Sequence, residues 1–223
     1  MIAREHIGTA FAPGGEEMRL YKRGHEFTIW LRNNELMSTR MSGSEEALAT
    51  MTCARLGARK APRVLVGGYG MGFTLRAALK LLRKEATITV AELVPEIVAW
   101  ARGPMRELTA GCLDDPRVAM VEGDVAGLIS SARGRYDAIL LDVDNGPEGL
   151  VSAANDRLYA ERGLRGARTA LRPDGILAVW SATGDPRFTA RLRAARFAVE
   201  EVRVAARANG KGPRHTIWFA RPR

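Results

Sequence analysis

Apolar and polar residues alternate through 18–37, "MRLYKRGHEFTIWLRNNELM", around two turn signals, Arg23-Gly24 and Asn33-Asn34. A period of two broken by turns predicts short antiparallel strands. The pattern then lengthens. "SGSEEALATMTCARLG" opens on a serine able to cap, carries acids in its first turn and stops at Gly57, which predicts a helix. From residue 63 apolar strand-like runs and helix-like runs take turns. The strands expected are 63–68, 87–93, 117–124, 136–144, 176–182, 197–204 and 214–220, and the helices between them 74–84, 95–108, 125–133, 155–171 and 185–195. Strands separated by helices of this length need crossover connections and a parallel sheet, while the last two runs, joined by "ANGKG", can pair as a hairpin. The fold class expected is therefore α/β: a doubly wound, seven-stranded, mostly parallel sheet with a small N-terminal β-strand extension. The division expected is 1–43 for the extension and 44–223 for the α/β domain.

Composition changes this picture little. The chain has 223 residues and an apolar share of 46%, enough for one full core. It shows no apolar run of membrane-spanning length and no basic-then-apolar leader, so a cytoplasmic protein is expected. Cys53 and Cys112 lie far apart, without metal-ligand spacing, and read as free thiols; no metal is expected. Of the +9 net charge almost all the excess is arginine, since lysines number five. From Arg187 onward ten basic residues face only Glu200 and Glu201, a surface that could attract RNA. Aromatic residues are sparse there, so nucleic acid is the lesser expectation and a small-molecule partner the greater.

The chemistry sits at the carboxyl ends of the expected strands, where open parallel sheets bind ligands. The first ends in Gly67 to Gly72, the second in Glu92, the third in Asp124 and the fourth in Asp142 and Asp144. Gly68, Gly70 and Gly72 let the backbone turn and approach a ligand closely. Glu92 can accept both hydroxyl hydrogens of a ribose, and Asp124 the exocyclic amine of adenine. Asp142 and Asp144 stand where the reacting end of such a ligand would lie. Each acid alone could be a helix cap or a solvated side chain, and Asp144 could cap a turn at "NGPEG". Their succession in strand order points to a nucleoside. The spacing Gly-x-Gly-x-Gly departs from the dinucleotide fingerprint, and a nucleoside without phosphates, such as S-adenosylmethionine, fits better.

In this order "TLRAALK", "VAELVPEIVAWAR", "DPRVAMVEGDV", "YDAILLDVD" and "LYAERGLRGARTALRPDGILAVW" resemble the spermidine synthase (polyamine aminopropyltransferase) family within the Rossmann-like class I methyltransferase fold. The likeness extends upstream through "ELMSTRMSGSEEAL" and spans about 180 residues. It implies decarboxylated S-adenosylmethionine as aminopropyl donor and an amine as acceptor. It further implies that Glu92 holds the ribose hydroxyls, that Leu93 is among the cofactor-binding residues and that Asp124 with Val125 holds the adenine, while Asp142 helps deprotonate and orient the attacking amine. Gly68, Gly70, Met71 and Gly72 would form the cofactor loop; Glu35, Ser44, Glu45, Asn145 and Tyr159 would surround the acceptor. A homodimer is expected by analogy with relatives.

Four positions depart from the family's pattern. Met71 falls where the family keeps an aspartate for the donor's primary amine. Ser44 and Glu45 replace a tyrosine-histidine pair, and Glu35 replaces a glutamine. Three readings follow: an aminopropyltransferase with altered donor or acceptor, an S-adenosylmethionine-dependent methyltransferase acting on a small molecule or RNA, and a non-catalytic binder that kept the pocket.

Overall fold

A computed structural model describes residues 3–143, 146 and 157–223. Two sheets organise them. The first is an antiparallel meander in the order β1 (Glu5–Phe11), β2 (Glu17–Arg23), β3 (Glu26–Leu31) and β4 (Asn34–Ser38). Its alternation buries Met18, Leu20, Phe27, Ile29 and Leu31 on one face, against the main domain. The expected strands are all present; β1 is an additional one.

Helix α1 (Gly43–Leu56) leads into the second sheet, built from β5 (Arg63–Gly67), β6 (Thr87–Glu92), β7 (Val118–Glu122), β8 (Tyr136–Leu141), β9 (Leu171–Ser181), β10 (Phe197–Ala205) and β11 (Arg214–Pro222). Their spatial order is β10-β11-β9-β8-β5-β6-β7. This is the seven-stranded, mostly parallel sheet expected. Only β11 runs against the rest, and it is not at the edge: it inserts between β9 and β10, pairing antiparallel with both. The remaining helices are α2 (Phe73–Leu81), α3 (Pro95–Arg102), α4 (Arg106–Thr109), α5 (Val125–Ser131), α6 (Glu161–Ala170) and α7 (Pro186–Ala194). One core packs α1, α2 and α3 on a sheet face together with the N-terminal meander; the other packs α5, α6 and α7 on the opposite face.

Several boundaries differ from the pattern reading: the strand expected over 136–144 ends at Leu141, and of the helix expected over 155–171 α6 starts only at Glu161. The helix expected over 95–108 ends at Arg102 and resumes as α4. Gly103 and Pro104 break it, since glycine has little helical preference and proline lacks the donor N–H. Strand β9 begins at Leu171, five residues before the apolar run at Ile176, because Leu171 pairs with Tyr136 ahead of a register irregularity.

At the base of the sheet Asp137, 2% exposed, is held by Arg59 at 2.6 Å, Arg172 at 3.2 Å and the backbone N–H of Arg63 at 2.7 Å. A buried carboxylate persists only when paired in this way. It fixes the amino ends of β5 and β8, the two central strands. Their carboxyl ends then lie side by side at the point where the strand order reverses, and a crevice opens there.

Candidate active site

The turn after β5 is built around Glu92. Gly68, Gly70 and Gly72 all have positive φ, at 84°, 54° and 75°. A side chain on Gly68 would also collide with the backbone oxygen of Asp142, so the two central strands close up only with glycine there. Glu92, at the tip of β6 and 7% exposed, accepts four backbone hydrogen bonds. Its Oε2 takes the N–H groups of Tyr69 (2.9 Å) and Gly70 (3.3 Å); its Oε1 takes those of Leu93 (2.8 Å) and Val94 (3.0 Å). The acid expected to meet a ribose therefore first organises the glycine loop. A charged acceptor for four converging N–H groups is a strong arrangement.

Asp124 caps α5, its Oδ1 accepting from Ala126 N–H at 2.8 Å, so the capping reading holds for one oxygen. The other makes no hydrogen bond among the described residues, and the side chain lines the same crevice. Leu93, 39% exposed, and Val125 supply apolar walls beside it. The crevice has an empty volume of about 1090 Å³ counted out to its mouth. Its far wall comes from the N-terminal meander, through Ala12, Pro13, Met18, Leu36 and Met37. The meander thus covers the carboxyl ends of the strands; a Cβ on Gly70 would lie 3.1 Å from Met37 Sδ.

Elsewhere two carboxyl groups share the crevice, Asp142 after β8 and Glu45 in the first turn of α1. Thr74 Oγ1 donates to Asp142 Oδ2 at 2.6 Å and lies 3.2 Å from the backbone oxygen of Glu45. Burial raises the pKa of Asp142 to about 6, against the lowering effect of Thr74. Burial, and then the charge on Asp142, raises Glu45 to about 8. Each carboxyl makes ionisation of the other more costly, so the pair resists carrying two buried negative charges. The two titrate as a pair, both held above the usual carboxylate range by burial.

Behind Glu45 a buried chain continues. Ser44 Oγ lies 2.6 Å from Glu45 Oε2 and 2.8 Å from His215 Nδ1. The His215 ring stands edge-on to Trp180, 4.9 Å between centroids, and burial lowers its pKa. Trp180 itself lines the crevice.

The structure thus brings together Gly68, Gly70, Met71, Glu92, Leu93, Asp124, Val125, Glu45 and Asp142 in one pocket. Gly72 caps α2 just behind it, and Ser44 touches the pocket through Glu45. Met71 is 2% exposed and part of the core, an apolar wall where an aspartate would stand in the family pattern. Two expectations are not met. Tyr159 packs edge-on against Phe188 in the opposite core, 5.6 Å between centroids, and does not line the pocket. Glu35 pairs with Arg40 at 3.4 Å, and its neighbours Leu36 and Met37 face the crevice instead. Asp144 and Asn145 lie outside the described residues. Sequence reasoning missed Thr74 and His215. Thr74 carried a signal, being one turn behind the glycine loop; His215 carried none, lying far along the chain in an apolar strand.

The sheet order and the row of strand-tip groups define a class I methyltransferase-like fold with a crevice at the strand tips. Within that class the chain matches the spermine/spermidine synthase domain over residues 43–192, and it belongs to that family. Polyamine aminopropyltransferase 1 of Streptomyces coelicolor is 37% identical over 129 residues, 56% of this chain and 23% of that protein. The polyamine aminopropyltransferase of Mycobacterium tuberculosis is 28% identical over 200 residues, 85% of this chain and 36% of that one. The crystal structure of spermidine synthase from Thermotoga maritima superposes with a TM-score of 0.75 at 18% identity, covering 97% of this chain and 72% of that chain. A spermidine synthase in complex with the transition-state analogue AdoDATO gives the same values. The chain spans well under half the length of these curated relatives.

Proposed function

We propose that the protein transfers an aminopropyl group from decarboxylated S-adenosylmethionine to an amine. The observation that carries this reading is the charge of the pocket: Glu45, Glu92, Asp124 and Asp142 line it, and no lysine or arginine does among the described residues. Decarboxylated S-adenosylmethionine brings a sulfonium and an ammonium, both positive, and an amine acceptor brings more positive charge. The full cofactor adds a carboxylate, which would meet acidic groups here and no lysine or arginine among the described residues. Met71 removes one acid from the loop, which favours methyl transfer, but Glu45 adds another to the same pocket.

The residues present fit such a ligand. Asp124 offers its free oxygen to the adenine amine, beside Leu93 and Val125. Glu92 holds the loop and presents its remaining acceptor capacity to the ribose. The reaction joins the amine nitrogen to the carbon beside the sulfonium; the carbon–sulfur bond breaks and its electron pair leaves with the sulfur as a neutral thioether. For this the nitrogen must first lose a proton, and the acceptor is Asp142, the carboxyl group that Thr74 orients in the crevice. Between them the two carboxyl groups hold the amine in line with the sulfonium carbon.

The assay is turnover with decarboxylated S-adenosylmethionine and a panel of alkyl diamines, following methylthioadenosine release. Absence of release with every amine, from protein that binds the nucleoside, would overturn the reading. Two further parts are inferred: the free thiols of Cys53 and Cys112 suit a reducing compartment such as the cytoplasm, and the open edge of β1 suits pairing in a homodimer. Light scattering of the purified chain tests the dimer.

A further inference from the structure

The chain's last hairpin, which the family match does not reach, contributes to the site. That match ends at residue 192, whereas His215 lies on β11. The hairpin turn is seated on the start of α1: Gly43 N–H donates to the backbone oxygen of Ala206 at 2.9 Å, and a Cβ on Gly43 would lie 2.5 Å from the backbone nitrogen of Ala208. This close approach, open only to glycine, brings His215 against Ser44, which is fully buried. Ser44 is the neighbour of Glu45 in sequence and its hydrogen-bond partner in space.

We propose that His215 is a positioning residue of the amine site: acting through Ser44, it holds the Glu45 carboxyl group facing Asp142 and supplies the end of the hydrogen-bond chain that stabilises ionised Glu45. Two distances define the chain, 2.8 Å from His215 Nδ1 to Ser44 Oγ and 2.6 Å from Ser44 Oγ to Glu45 Oε2. A serine hydroxyl has one hydrogen, so the chain has a direction. With Glu45 ionised, Nδ1–H donates to Ser44 and Ser44 donates to the carboxylate. With Glu45 protonated, the carboxyl donates to Ser44 and Ser44 to an unprotonated Nδ1. Either state is satisfied by a neutral imidazole that changes tautomer, and Trp180 fixes the ring plane. An alkyl side chain at 215 would leave the Ser44 hydroxyl free to turn away, and a donor polarised by a second hydrogen bond is stronger than one alone. The titratable groups facing Glu45 are Asp142 from β8, Glu46 from its own helix and His215 from β11.

The inference rests on reading Glu45 and Asp142 as the amine site, and the test separates the two. In protein carrying carbon-13 glutamate, the Glu45 carboxyl resonance is assigned by its loss in Glu45→Gln and titrated in the free protein. Ser44→Ala and His215→Leu should each raise the Glu45 midpoint by about half a unit to one unit, the equivalent of one hydrogen bond. His215→Asn, whose amide can stand in for Nδ1, should bring it back toward the parent value. A midpoint unmoved in both Ser44→Ala and His215→Leu would overturn the positioning role. Should His215→Leu fail to fold, His215→Met, which likewise offers no N–H to Ser44, takes its place in the same comparison. Separately, 1,4-diaminobutane added to the parent should lower the midpoint by placing an ammonium beside Glu45. No lowering at saturation would overturn the amine-site reading while leaving the free-protein result standing.

Discussion

Replacing Glu92 by glutamine tests how the glycine loop is built. The substitution keeps size and removes charge. Whichever way the amide points, its nitrogen meets two backbone N–H groups, those of Tyr69 and Gly70 or those of Leu93 and Val94. Two donors lose their acceptor, and the other two keep only a neutral one. Hydrogen bonds to a charged group contribute about 1.5–3 kcal/mol each, and an orphaned buried donor costs about as much, so the loss is about 3–6 kcal/mol. That is a large part of the roughly 5–15 kcal/mol by which a domain is stable. Equilibrium urea unfolding at neutral pH reads it directly, with the change expected in the midpoint and not in the slope. Methylthioadenosine binding, measured on the fraction that is folded, should also weaken by about tenfold or more, or ~1.4 kcal/mol. A stability loss under about 1 kcal/mol would refute the four-bond arrangement. Unchanged nucleoside affinity in a destabilised variant would leave Glu92 as a loop organiser only.

Asp142→Asn should abolish turnover while leaving nucleoside affinity within about threefold, since it removes the proton acceptor and keeps the shape; a loss of binding with turnover per bound ligand intact would contradict this. Glu45→Gln should alter the pH dependence of stability. Because the folded pKa of Glu45 is raised from 4.5 to about 8, its contribution is full below pH 4.5 and is lost as pH rises to about 8. The variant should therefore gain on the parent, on the order of 2 kcal/mol between pH 6 and 9 by urea unfolding, and parallel profiles would contradict the shift. The lowered pKa of His215 has the opposite sign, costing stability as pH falls below its unfolded value of 6.5, and cancels in the comparison. Asp137→Ala, which leaves Arg59 and Arg172 without their shared partner, should cost about 3–5 kcal/mol in the same assay.

The parallel sheet was legible because each strand is an apolar run ending in a group that cannot be buried unpaired. Gly68, Glu92, Asp124 and Asp142 marked the strand tips, and the tips marked the crevice. What stayed hidden depends on contacts between distant segments. Strand β1 escaped because "EHIGTAF" buries only Ala10 fully and shows almost no alternation. The break at Gly103 is visible afterwards in Gly-Pro, but "PEIVAWAR" and "MREL" share a helical composition on either side. Tyr159 follows the family order in sequence, yet its ring faces Phe188 because it packs into the core on the other side of the sheet. His215 looked like one more position in the strand "RHTIWFA". Only insertion of β11 between β9 and β10, with the hairpin turn seated on Gly43, brings it to Ser44. The double duty of Glu92 was hidden for a related reason: strand position told that an acid would face the crevice, not that the loop's own N–H groups would reach it first.

The claim that organises the rest is that a pocket lined with carboxylates selects the doubly positive donor. Titration calorimetry of the purified protein with decarboxylated S-adenosylmethionine and with S-adenosylmethionine, under matched conditions, measures that selection without needing the acceptor. The account predicts tighter binding of the decarboxylated form by about tenfold or more, ~1.4 kcal/mol. Equal or tighter binding of S-adenosylmethionine would contradict it.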